Sequence, residues 1–507
     1  MRKIHKWFGI VLTLFILMFA LSGIILNHRE TFARFNISRN LLPDEYSYKN
    51  WNNASLQGQL LLSNDSILVY GNTGIWLTDS IFNSFKSYNQ GFGQGVDRRK
   101  ITSLVSLSNK KLFAGTQFGL FTRNALSGLW ERVEIPSTES RITDLLVKGD
   151  SLFVLTRSQL FVSTDMVHFN EIKIAPPVGY DNKVSLFRTL WVVHSGAIYS
   201  LPGKLIVDAV ALIFVWLCVS GIIFWIKKSR IKALKKQPVK LKSNRKTMQF
   251  LLRWHNRLGW TTVVLLLIST LTGMFLRPPL LLAIMNGRVS KIPLTTLADA
   301  NPWFDKLRKM SFDAEEGDFL LATSEGIYEL DKSFVTKPLI CAFQPPVSVM
   351  GITVMQKLNQ KQWLIGSFEG LFAWNRKTGE VIDYISDTPY QPAGTRGKPT
   401  GTYLVSGYLN STSTGEVFFD YNHGAGIISP GGWFPEMPAS VQSSPMSIWN
   451  LALEIHTARI LGFLLGDFYI LVVPLAGLSI LLILFSGFVV WYKHYRAKKK
   501  KNTDFAE

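Results

Sequence analysis

The feature that most constrains this chain is a set of four apolar stretches. They cover about residues 7–26, 205–226, 258–276 and 468–492. Each approaches the roughly 20 consecutive apolar residues that a helix needs to cross a bilayer. Because a backbone in lipid must satisfy its own hydrogen bonds, we expect each stretch to form a transmembrane helix. The 507 residues leave room for further domains outside the bilayer.

The positive charges lie next to these apolar stretches. The net charge is +20, and residues 227–246 hold ten Lys or Arg and no acid. Further basic residues precede the first stretch and follow the last. The positive-inside rule therefore predicts that both termini and the 227–250 loop face the cytoplasm. This placement argues against a nucleic-acid partner and favours contact with membrane lipid.

These features predict a multi-pass protein of the bacterial inner membrane, with a four-helix bundle and a large periplasmic all-β domain. The predicted segments are helix one at 1–27, the first half of the external β-domain at 28–200, helix two at 201–226, a basic cytoplasmic loop at 227–254, helix three at 255–277, the second half of the external β-domain at 278–455, helix four with its external lead-in at 456–492, and a basic cytoplasmic tail at 493–507.

The helical part of the chain is an internal duplication. The first and third helices each open on a His-x3-Gly motif and close on a Ser/Thr-Gly dipeptide, with 18 residues between the His and the second Gly (23 − 5 and 273 − 255). The second and fourth helices each end on Ser-Gly-x3-Trp and are preceded by a His-Ser/Thr-Gly/Ala tripeptide. The His and Ser/Thr residues of these motifs are His5, Ser22, His194, Ser220, His255, Thr272, His456 and Ser486. Two parallel repeats are therefore predicted, related by a pseudo-two-fold axis along the membrane normal.

This set of motifs resembles the PepSY-associated transmembrane helix family. The resemblance covers the four helices and their flanks, about a third of the chain. It implies a membrane protein similar to the family's di-haem reductases of periplasmic ferric siderophores. The external segments depart from the family pattern, because we recognise no PepSY domain in them.

The external segments contain a recurring strand-turn-strand motif: small residue, Ser/Thr, two variable residues, Gly, aliphatic, aromatic. Copies lie at 115–121, 322–328 and 366–372, degenerate copies at 72–76 and 156–161, and a further candidate at 418–427. Spacings of 45 (119 − 74) and 44 (370 − 326) residues match the period of about 40–50 found in β-propeller blades. Three blades cannot close a ring, so we expect the two segments to combine into one propeller of six to eight blades. The alternative is two separate small β-domains.

Four of the eight histidines occupy the duplicated positions. Imidazole is a regular axial ligand of haem iron, and ionisable residues at membrane helices usually face the bundle interior. We therefore predict two b-type haems. His5 and His255 would hold one near the cytoplasm, and His194 and His456 would hold the other near the outside. The alternative is that these histidines only anchor helix ends at the interface.

Glycines accompany the histidines on the same helix faces. Eighteen residues make five helical turns, so His5 and Gly23 lie on the same face of the helix. The distance between them along the helix axis is about 27 Å. We expect the glycines to leave a side-chain-free wall for a flat macrocycle, or else only to allow close helix packing. They are Gly9, Gly221, Gly259 and Gly487 at the cytoplasmic level, and Gly23 and Gly273 at the external level. His28 is an alternative external ligand, although its counterpart in the repeat is Pro278.

Two haems stacked across the bilayer predict transmembrane electron transfer by a haem-dependent oxidoreductase of the ferric reductase type. The sequence has no dinucleotide fingerprint, so the electron donor is expected to be separate, either quinol or a soluble reductase. No catalytic side chain is assigned, because haem would carry the redox chemistry. By the family resemblance the acceptor is a ferric chelate such as an iron–siderophore, and the propeller would dock that chelate or an envelope protein. The alternative is a non-enzymatic, membrane-anchored propeller that senses or binds an envelope ligand.

Overall fold

The computed structural model describes residues 1–63, 65–233, 238–348, 350–391, 401–411 and 415–503, without the side chains of 229–244 and 497–503. The predicted basic loop at 227–254 and the predicted tail at 493–507 therefore lie partly outside the described residues. The chain divides into two compact units. The helical unit comprises Met1–Phe32, Asn182–Asp299 and Trp449–Glu507, and the β unit comprises Ala33–Asp181 and Ala300–Ile448.

The α-helices are short except where the chain is strongly apolar or basic. In chain order they are α1 (Arg2–Asn27), α2 (Arg29–Phe32), α3 (Leu186–Ser195), α4 (Ser200–Ala233), α5 (Pro238–Thr261), α6 (Val263–Phe275), α7 (Leu280–Ile284), α8 (Ala439–Gln442), α9 (Ile448–His456), α10 (Gly462–Leu465) and α11 (Val472–Thr503). Short 3-10 turns at Ala197–Tyr199 and Gly466–Leu471 lead into α4 and α11.

Three helical stretches of the described chain are long and apolar enough to cross a membrane. They are Arg2–Asn27, Ala197–Lys228 and Arg459–Arg496, and they match the predicted first, second and fourth helices. A fourth candidate is a bent pair, Arg245–Thr261 followed by Val263–Phe275, with 65° between the two axes. The predicted count of four holds if this pair crosses the bilayer as one broken span.

The third predicted helix, 255–277, is therefore not one straight element. His255 lies on α5 and Gly273 on α6, so the prediction that they share the face of a continuous helix is wrong. In the first repeat α1 runs unbroken from Arg2 to Asn27, past both His5 and Gly23. The duplication is thus structurally unequal at this point.

Two adjacent threonines lie at the bend. The hydroxyl of Thr261 donates to the carbonyl of Arg257 at 2.8 Å, and that of Thr262 to the carbonyl of Leu258 at 2.7 Å. Such bonds from Ser or Thr to the carbonyl four residues earlier often bend helices. The corresponding positions of the unbroken α1 are Val11 and Leu12, which have no hydroxyl.

The strands are mostly four to seven residues long and belong to the β unit, except for one short pair. In chain order they are β1 (Asn36–Ile37), β2 (Gly58–Ser63), β3 (Ser66–Gly71), β4 (Gly74–Thr78), β5 (Lys86–Ser87), β6 (Ile101–Ser106), β7 (Leu112–Thr116), β8 (Gly119–Arg123), β9 (Trp130–Val133), β10 (Ile142–Lys148), β11 (Ser151–Thr156), β12 (Leu160–Ser163), β13 (Asn170–Ile172), β14 (Lys183–Ser185), β15 (Arg288–Ser290), β16 (Leu307–Asp313), β17 (Asp318–Thr323), β18 (Gly326–Leu330), β19 (Leu339–Ile340), β20 (Ile352–Lys357), β21 (Trp363–Ser367), β22 (Gly370–Trp374), β23 (Val381–Asp383), β24 (Thr388–Pro389), β25 (Val405–Ser411), β26 (Gly415–Asp420), β27 (Gly424–Ile427) and β28 (Met446–Ser447).

The strands of the β unit form antiparallel sheets of consecutive strands. The larger sheets of the described chain are β2–β5, β6–β9, β10–β13, β16–β19, β20–β24 and β25–β27, and β1 pairs with β28. The first strand of each larger sheet contacts the first strand of the next, and β25 contacts β2. This cyclic order is the arrangement of a propeller. Sheets from both chain segments lie in one compact unit, which agrees with the predicted combination of the two segments and not with the alternative of two separate β-domains.

The recurring motif forms the turn between the second and third strands of a sheet. Between β7 and β8, the hydroxyl of Thr116 donates to the carbonyl of Gly119 at 2.9 Å and accepts from the amide of Phe118 at 3.0 Å. Gly119 has a φ of +137°, which glycine adopts without strain. Thr323 and Gly326 repeat this bond at 2.8 Å. The predicted strand-turn-strand role of the motif is confirmed.

The boundary between the units differs from the predicted one. The predicted external segments, 28–200 and 278–455, are longer than the β unit at 33–181 and 300–448. The flanking residues belong to the helical unit, where β14 pairs with β15 and α3 and α9 precede the membrane spans. One of these flanks, with α3, carries His194, and His456 directly follows the last one.

Candidate functional site

The four duplicated histidines lie in two pairs inside the helical unit. The ring centres of His5 and His255 are 6.1 Å apart, and those of His194 and His456 are 5.9 Å apart. These are the two pairs that the sequence predicted. Ser22, which contacts His456, follows His5 by 17 positions (22 − 5) on α1, so the two pairs are about 25 Å apart along the helix.

His194 shows how each ring is held. Its Nδ1 atom lies 3.0 Å from the carbonyl oxygen of Ser269 and 3.3 Å from the hydroxyl of Thr272, both on α6. The hydroxyl of Thr272 itself donates to the carbonyl of Ile268 at 2.7 Å, so its lone pairs face the ring. A Cβ atom on the next residue, Gly273, would lie 2.7 Å from Cε1 of His194. The Thr-Gly dipeptide therefore forms a seat for one imidazole.

The other three histidines occupy equivalent seats, each made of a Ser-Gly dipeptide and the carbonyl three residues before the Ser. His456 Nδ1 contacts Ser22 Oγ at 3.0 Å and the Phe19 carbonyl at 3.1 Å. His5 Nδ1 contacts Ser486 Oγ at 3.4 Å and the Ile483 carbonyl at 3.1 Å. His255 Nδ1 contacts Ser220 Oγ at 2.9 Å and bonds the Leu217 carbonyl.

These partners assign the tautomer of the rings. A carbonyl oxygen only accepts, so Nδ1 carries the proton and Nε2 of the neutral ring carries a free lone pair. Within the described part of the chain, no hydrogen bond reaches Nε2 of His5, His194, His255 or His456. A metal-binding histidine usually donates its other N–H in this way, which orients the ring and raises its basicity.

Every seat joins the two repeats. His5 and His194 belong to the first repeat and use dipeptides of the second, on α11 and α6. His255 and His456 belong to the second repeat and use dipeptides of the first, on α4 and α1. Each histidine pair also contains one ring from each repeat, so neither repeat forms either site alone.

The predicted glycines fall into two groups. Four of them form seats, and a Cβ atom there would approach a ring carbon at 2.7 Å (Gly273), 2.9 Å (Gly487), 3.3 Å (Gly23) or 3.7 Å (Gly221). The other two, Gly9 and Gly259, lie one turn after His5 and His255. A Cβ on Gly9 would meet nothing within 4 Å, and one on Gly259 would meet only Leu217, at 3.8 Å. Four of the six predicted glycines therefore make room for imidazoles.

The two histidines of the second pair lie on short helices. His194 and His456 lie in the last turns of α3 and α9, not on the membrane spans themselves. The chain then turns through Gly196 and Ala458, whose φ angles are +75° and +59°, before the next helical stretch begins. The left-handed residue at the same position in both repeats ends the short helix just after the histidine.

The remaining histidines with described contacts pair with carboxylates. His28 Nε2 lies 2.6 Å from Asp208 Oδ2, and Asn27 donates to the other oxygen at 3.1 Å. Nε2 of His28 is therefore bonded to a carboxylate, unlike Nε2 of the four duplicated histidines. His168 and His423, in the β unit, contact Asp165 and Asp420.

Two arginines lie near the second histidine pair. Arg277 bonds Tyr469 and interacts electrostatically with Arg459 and Glu454. It also interacts with His456. Arg459 pairs with Glu454 through Nη2, while its buried Nε has no hydrogen bond within the described chain. One carboxylate between two guanidinium groups leaves this region positively charged.

Sequence reasoning did not assign a role to the hydroxyl residues. Ser22, Ser220, Thr272 and Ser486 belong to the motifs that revealed the duplication, but only the glycines beside them were given a function. The signal was available, because all four repeats of the dipeptide carry Ser or Thr directly before Gly. The backbone carbonyls have no sequence signal.

Comparison with known families identifies the helical part. The profile of the PepSY-associated TM region matches residues 157–494, more than half of the chain. The chain belongs to the PepSY-associated TM family. The match includes three of the four histidine positions, and His5 precedes it. No curated protein matches this PepSY-associated TM protein.

Several solved structures share a general likeness with this PepSY-associated TM protein. A BT4673 extracellular domain from B. thetaiotaomicron is 11% identical with a TM-score of 0.34, over 78% of this chain and 39% of that one. The WD40 β-propeller domain of Doa1 is 9% identical with a TM-score of 0.33, over 77% and 95%. PorZ, a surface component of the type-IX secretion system of Porphyromonas gingivalis, is 7% identical with a TM-score of 0.32, over 78% and 39%. The chain thus spans about two fifths of the length of the BT4673 domain and of PorZ.

Proposed function

We propose that this protein transfers electrons across a bacterial inner membrane through two b-type haems. His5 and His255 would bind one haem, and His194 and His456 would bind the other. The proposal rests on one observation: the rings lie in two neighbouring pairs, and each ring is anchored through Nδ1 with its Nε2 lone pair unused. Histidines that only anchored helix ends would have no need for four matching seats.

The spacing within each pair fits bis-imidazole ligation. Metal–imidazole bonds are about 2.0–2.1 Å long, so two imidazoles that bound one iron would have ring centres about 6 Å apart. The separations of 6.1 and 5.9 Å meet this requirement. Gly9 and Gly259 supply the side-chain-free wall beside the first pair, where a flat macrocycle needs room.

When bound, haem would supply one-electron redox chemistry at its iron. The chain's own residues would orient the histidine ligands and set the charge around the haem. The Ser/Thr hydroxyls and backbone carbonyls hold each Nδ1–H and fix the ring orientation. Arg277 and Arg459 provide positive charge beside the second pair, suited to haem propionates or to an anionic substrate.

The donor would act at the cytoplasmic pair and the acceptor at the external pair. We favour quinol or a soluble reductase as the donor and a ferric chelate of the siderophore type as the acceptor, by analogy with family members. One quinol would release two electrons and two protons, and reduce two ferric ions to ferrous. The β unit would dock the chelate or an envelope protein.

A spectrum of the purified full-length protein tests the proposal. Protein from haem-replete cells should show a Soret band and b-type α-bands after dithionite reduction, with two haems per chain by pyridine haemochrome. In proteoliposomes, a membrane-permeant quinol should then reduce a ferric chelate, read as a coloured ferrous complex. A colourless preparation with an intact helical unit would refute the haem proposal. It would favour the alternative function, a membrane-anchored propeller that senses or binds an envelope ligand.

A further inference from the structure

The helix α5 carries an exposed basic stripe. Turning at 3.6 residues per turn, the stripe covers about a third of the helix circumference. It consists of four side chains, all exposed: Arg245, Lys246, Arg253 and Arg257. Leu251 and His255 lie on the opposite side, where Leu251 is buried and His255 bonds Ser220 of α4. One face of α5 is therefore fixed in the helical unit and the other is open.

The positive charge of this stripe has no acidic counterpart nearby in the sequence. The chain contains no Asp or Glu from residue 209 to residue 298. Within the described residues no salt bridge reaches any of the four side chains of the stripe; Arg257 stacks over Trp254, at 5.3 Å. Among the described residues, the charge of the stripe is therefore open to an anionic group of another molecule.

Apolar side chains flank the stripe. Phe250, Leu252 and Trp260 are 53%, 42% and 42% exposed. Trp260 also stacks on Trp491, with ring centres 4.8 Å apart. Exposed aromatic and aliphatic groups beside Lys and Arg are typical of helices at the membrane interface, where phosphates and acyl chains meet. A docked soluble protein would not explain this combination as well.

The packing of α5 agrees with an interfacial position of the stripe. α5 is the next helix after α4 and packs along it, with His255 against Ser220. The residues of α5 before His255 therefore lie toward Lys227 and Lys228, at the basic end of that apolar helix. The basic stripe and the flanking apolar residues are independent observations on α5.

We propose that the basic stripe of α5 lies at the membrane surface and binds the headgroups of anionic phospholipids. The proposal does not depend on haem, since a colourless protein would bind lipid equally well. Because His255 lies on the opposite face, bound headgroups hold the helix that presents one ring of the first histidine pair.

Lipid titration of the detergent-solubilised full-length protein tests this surface. Native mass spectrometry with short-chain phosphatidylglycerol and phosphatidylcholine should show tighter binding of phosphatidylglycerol. Each basic residue near an anionic surface strengthens binding about fivefold. The variant R245Q/K246Q/R253Q/R257Q should therefore lose at least tenfold in phosphatidylglycerol affinity, with phosphatidylcholine binding unchanged.

A matched control carries the same charge change elsewhere. The variant K86Q/K110Q/K337Q/K361Q removes four exposed lysines of the β unit and should bind phosphatidylglycerol as the wild type does. High salt should weaken phosphatidylglycerol binding of the wild type, a result that needs no variant to fold. Equal phosphatidylglycerol affinity of the two variants, or no preference over phosphatidylcholine in the wild type, would overturn the proposal. The stripe variant could also bind lipid as the wild type does but fail to bind an acidic soluble redox protein. That result would overturn the lipid proposal and assign the stripe to a protein partner.

Discussion

The Nδ1 atom of His194 lies 3.0 Å from the carbonyl oxygen of Ser269. Because a carbonyl cannot donate, this contact fixes the proton on Nδ1 and leaves the lone pair on Nε2. The same relation, a ring against the carbonyl three residues before a Ser or Thr, recurs for the other three duplicated histidines. All four rings thus have a protonated Nδ1 held by a carbonyl and a free lone pair on Nε2. This shared state is the basis of the haem proposal and of the predictions that depend on it.

Single replacements of the four histidines should each remove one haem. In H5A, H194A, H255A and H456A we expect about half of the wild-type haem per chain, because one axial ligand of one pair is lost. Pyridine haemochrome analysis of the purified variants measures this. H28A and H168A are the controls and should keep both haems, since their rings pair with Asp208 and Asp165. Full haem content in all four ligand variants would refute the site assignment.

Adding a methyl group at the seats should have graded effects. In G273A the new Cβ would lie 2.7 Å from His194 Cε1, so the ring must move and the second haem should be lost. In G221A the nearest ring atom is 3.7 Å away, an ordinary contact, and both haems should remain. Haem stoichiometry of the two variants gives the comparison. The reverse order, with G221A the more damaging, would contradict the seat geometry.

Removing a seat hydroxyl should weaken haem binding without abolishing it. Replacing a group that hydrogen-bonds a metal-binding histidine typically costs 10- to 100-fold in metal affinity. For T272V we expect about tenfold, the lower end of that range, because the Ser269 carbonyl still holds Nδ1. Haemin titration of the apoprotein and the midpoint potential of the second haem measure the effect. T272S should restore both.

A neighbouring threonine provides the matched control for this change. Thr270 lies on the same helix and donates only to the Leu266 carbonyl, at 2.8 Å. T270V should therefore leave haem affinity and potential unchanged. An equal effect of T270V and T272V would show that the hydroxyl acts on the helix and not on the ring.

Acid stability of the β unit should depend on a buried carboxylate. Asp313 is 1% exposed and bonds Lys357 at 2.6 Å, with Arg376 at 3.3 Å. Burial raises the pKa of Asp313, but the hydrogen bond and charge of Lys357 and the charge of Arg376 outweigh it, so the folded-state pKa lies below the ordinary value. The ionised carboxylate therefore stabilises the fold above about pH 4, and this contribution is lost as the pH falls through the folded-state pKa.

Replacing Asp313 tests this relation. D313N should destabilise the β unit by about 3 kcal/mol at neutral pH, because it removes one partner of a buried ion pair. The difference from the wild type should shrink as the pH falls below about 4, where the carboxyl is protonated in the unfolded chain. Urea unfolding followed by fluorescence of the buried Trp363 and Trp374 measures it. K377Q, at an exposed pair with Glu316, should change little. A D313N effect that is constant with pH would disprove the assignment.

Local patterns could be predicted from the sequence alone. Apolar length identified three continuous spans, since a helix in lipid satisfies its backbone internally whatever its neighbours are. The Thr-x-x-Gly turns of the β unit were also predictable, because the hydroxyl bond and the positive φ of Gly119 involve residues within one turn. The duplication indicated which histidines belong together.

Tertiary structure decided how these elements combine. Nothing in the sequence shows that the ring of His5 rests against Gly487, 482 positions later (487 − 5), or that a backbone carbonyl holds its Nδ1. The bend at Thr262 likewise separates α5 from α6, although the apolar pattern continues across it. Sequence periodicity reports which face of a helix is apolar, but the partner of that face depends on the packing of distant segments, and only the folded chain brings those together.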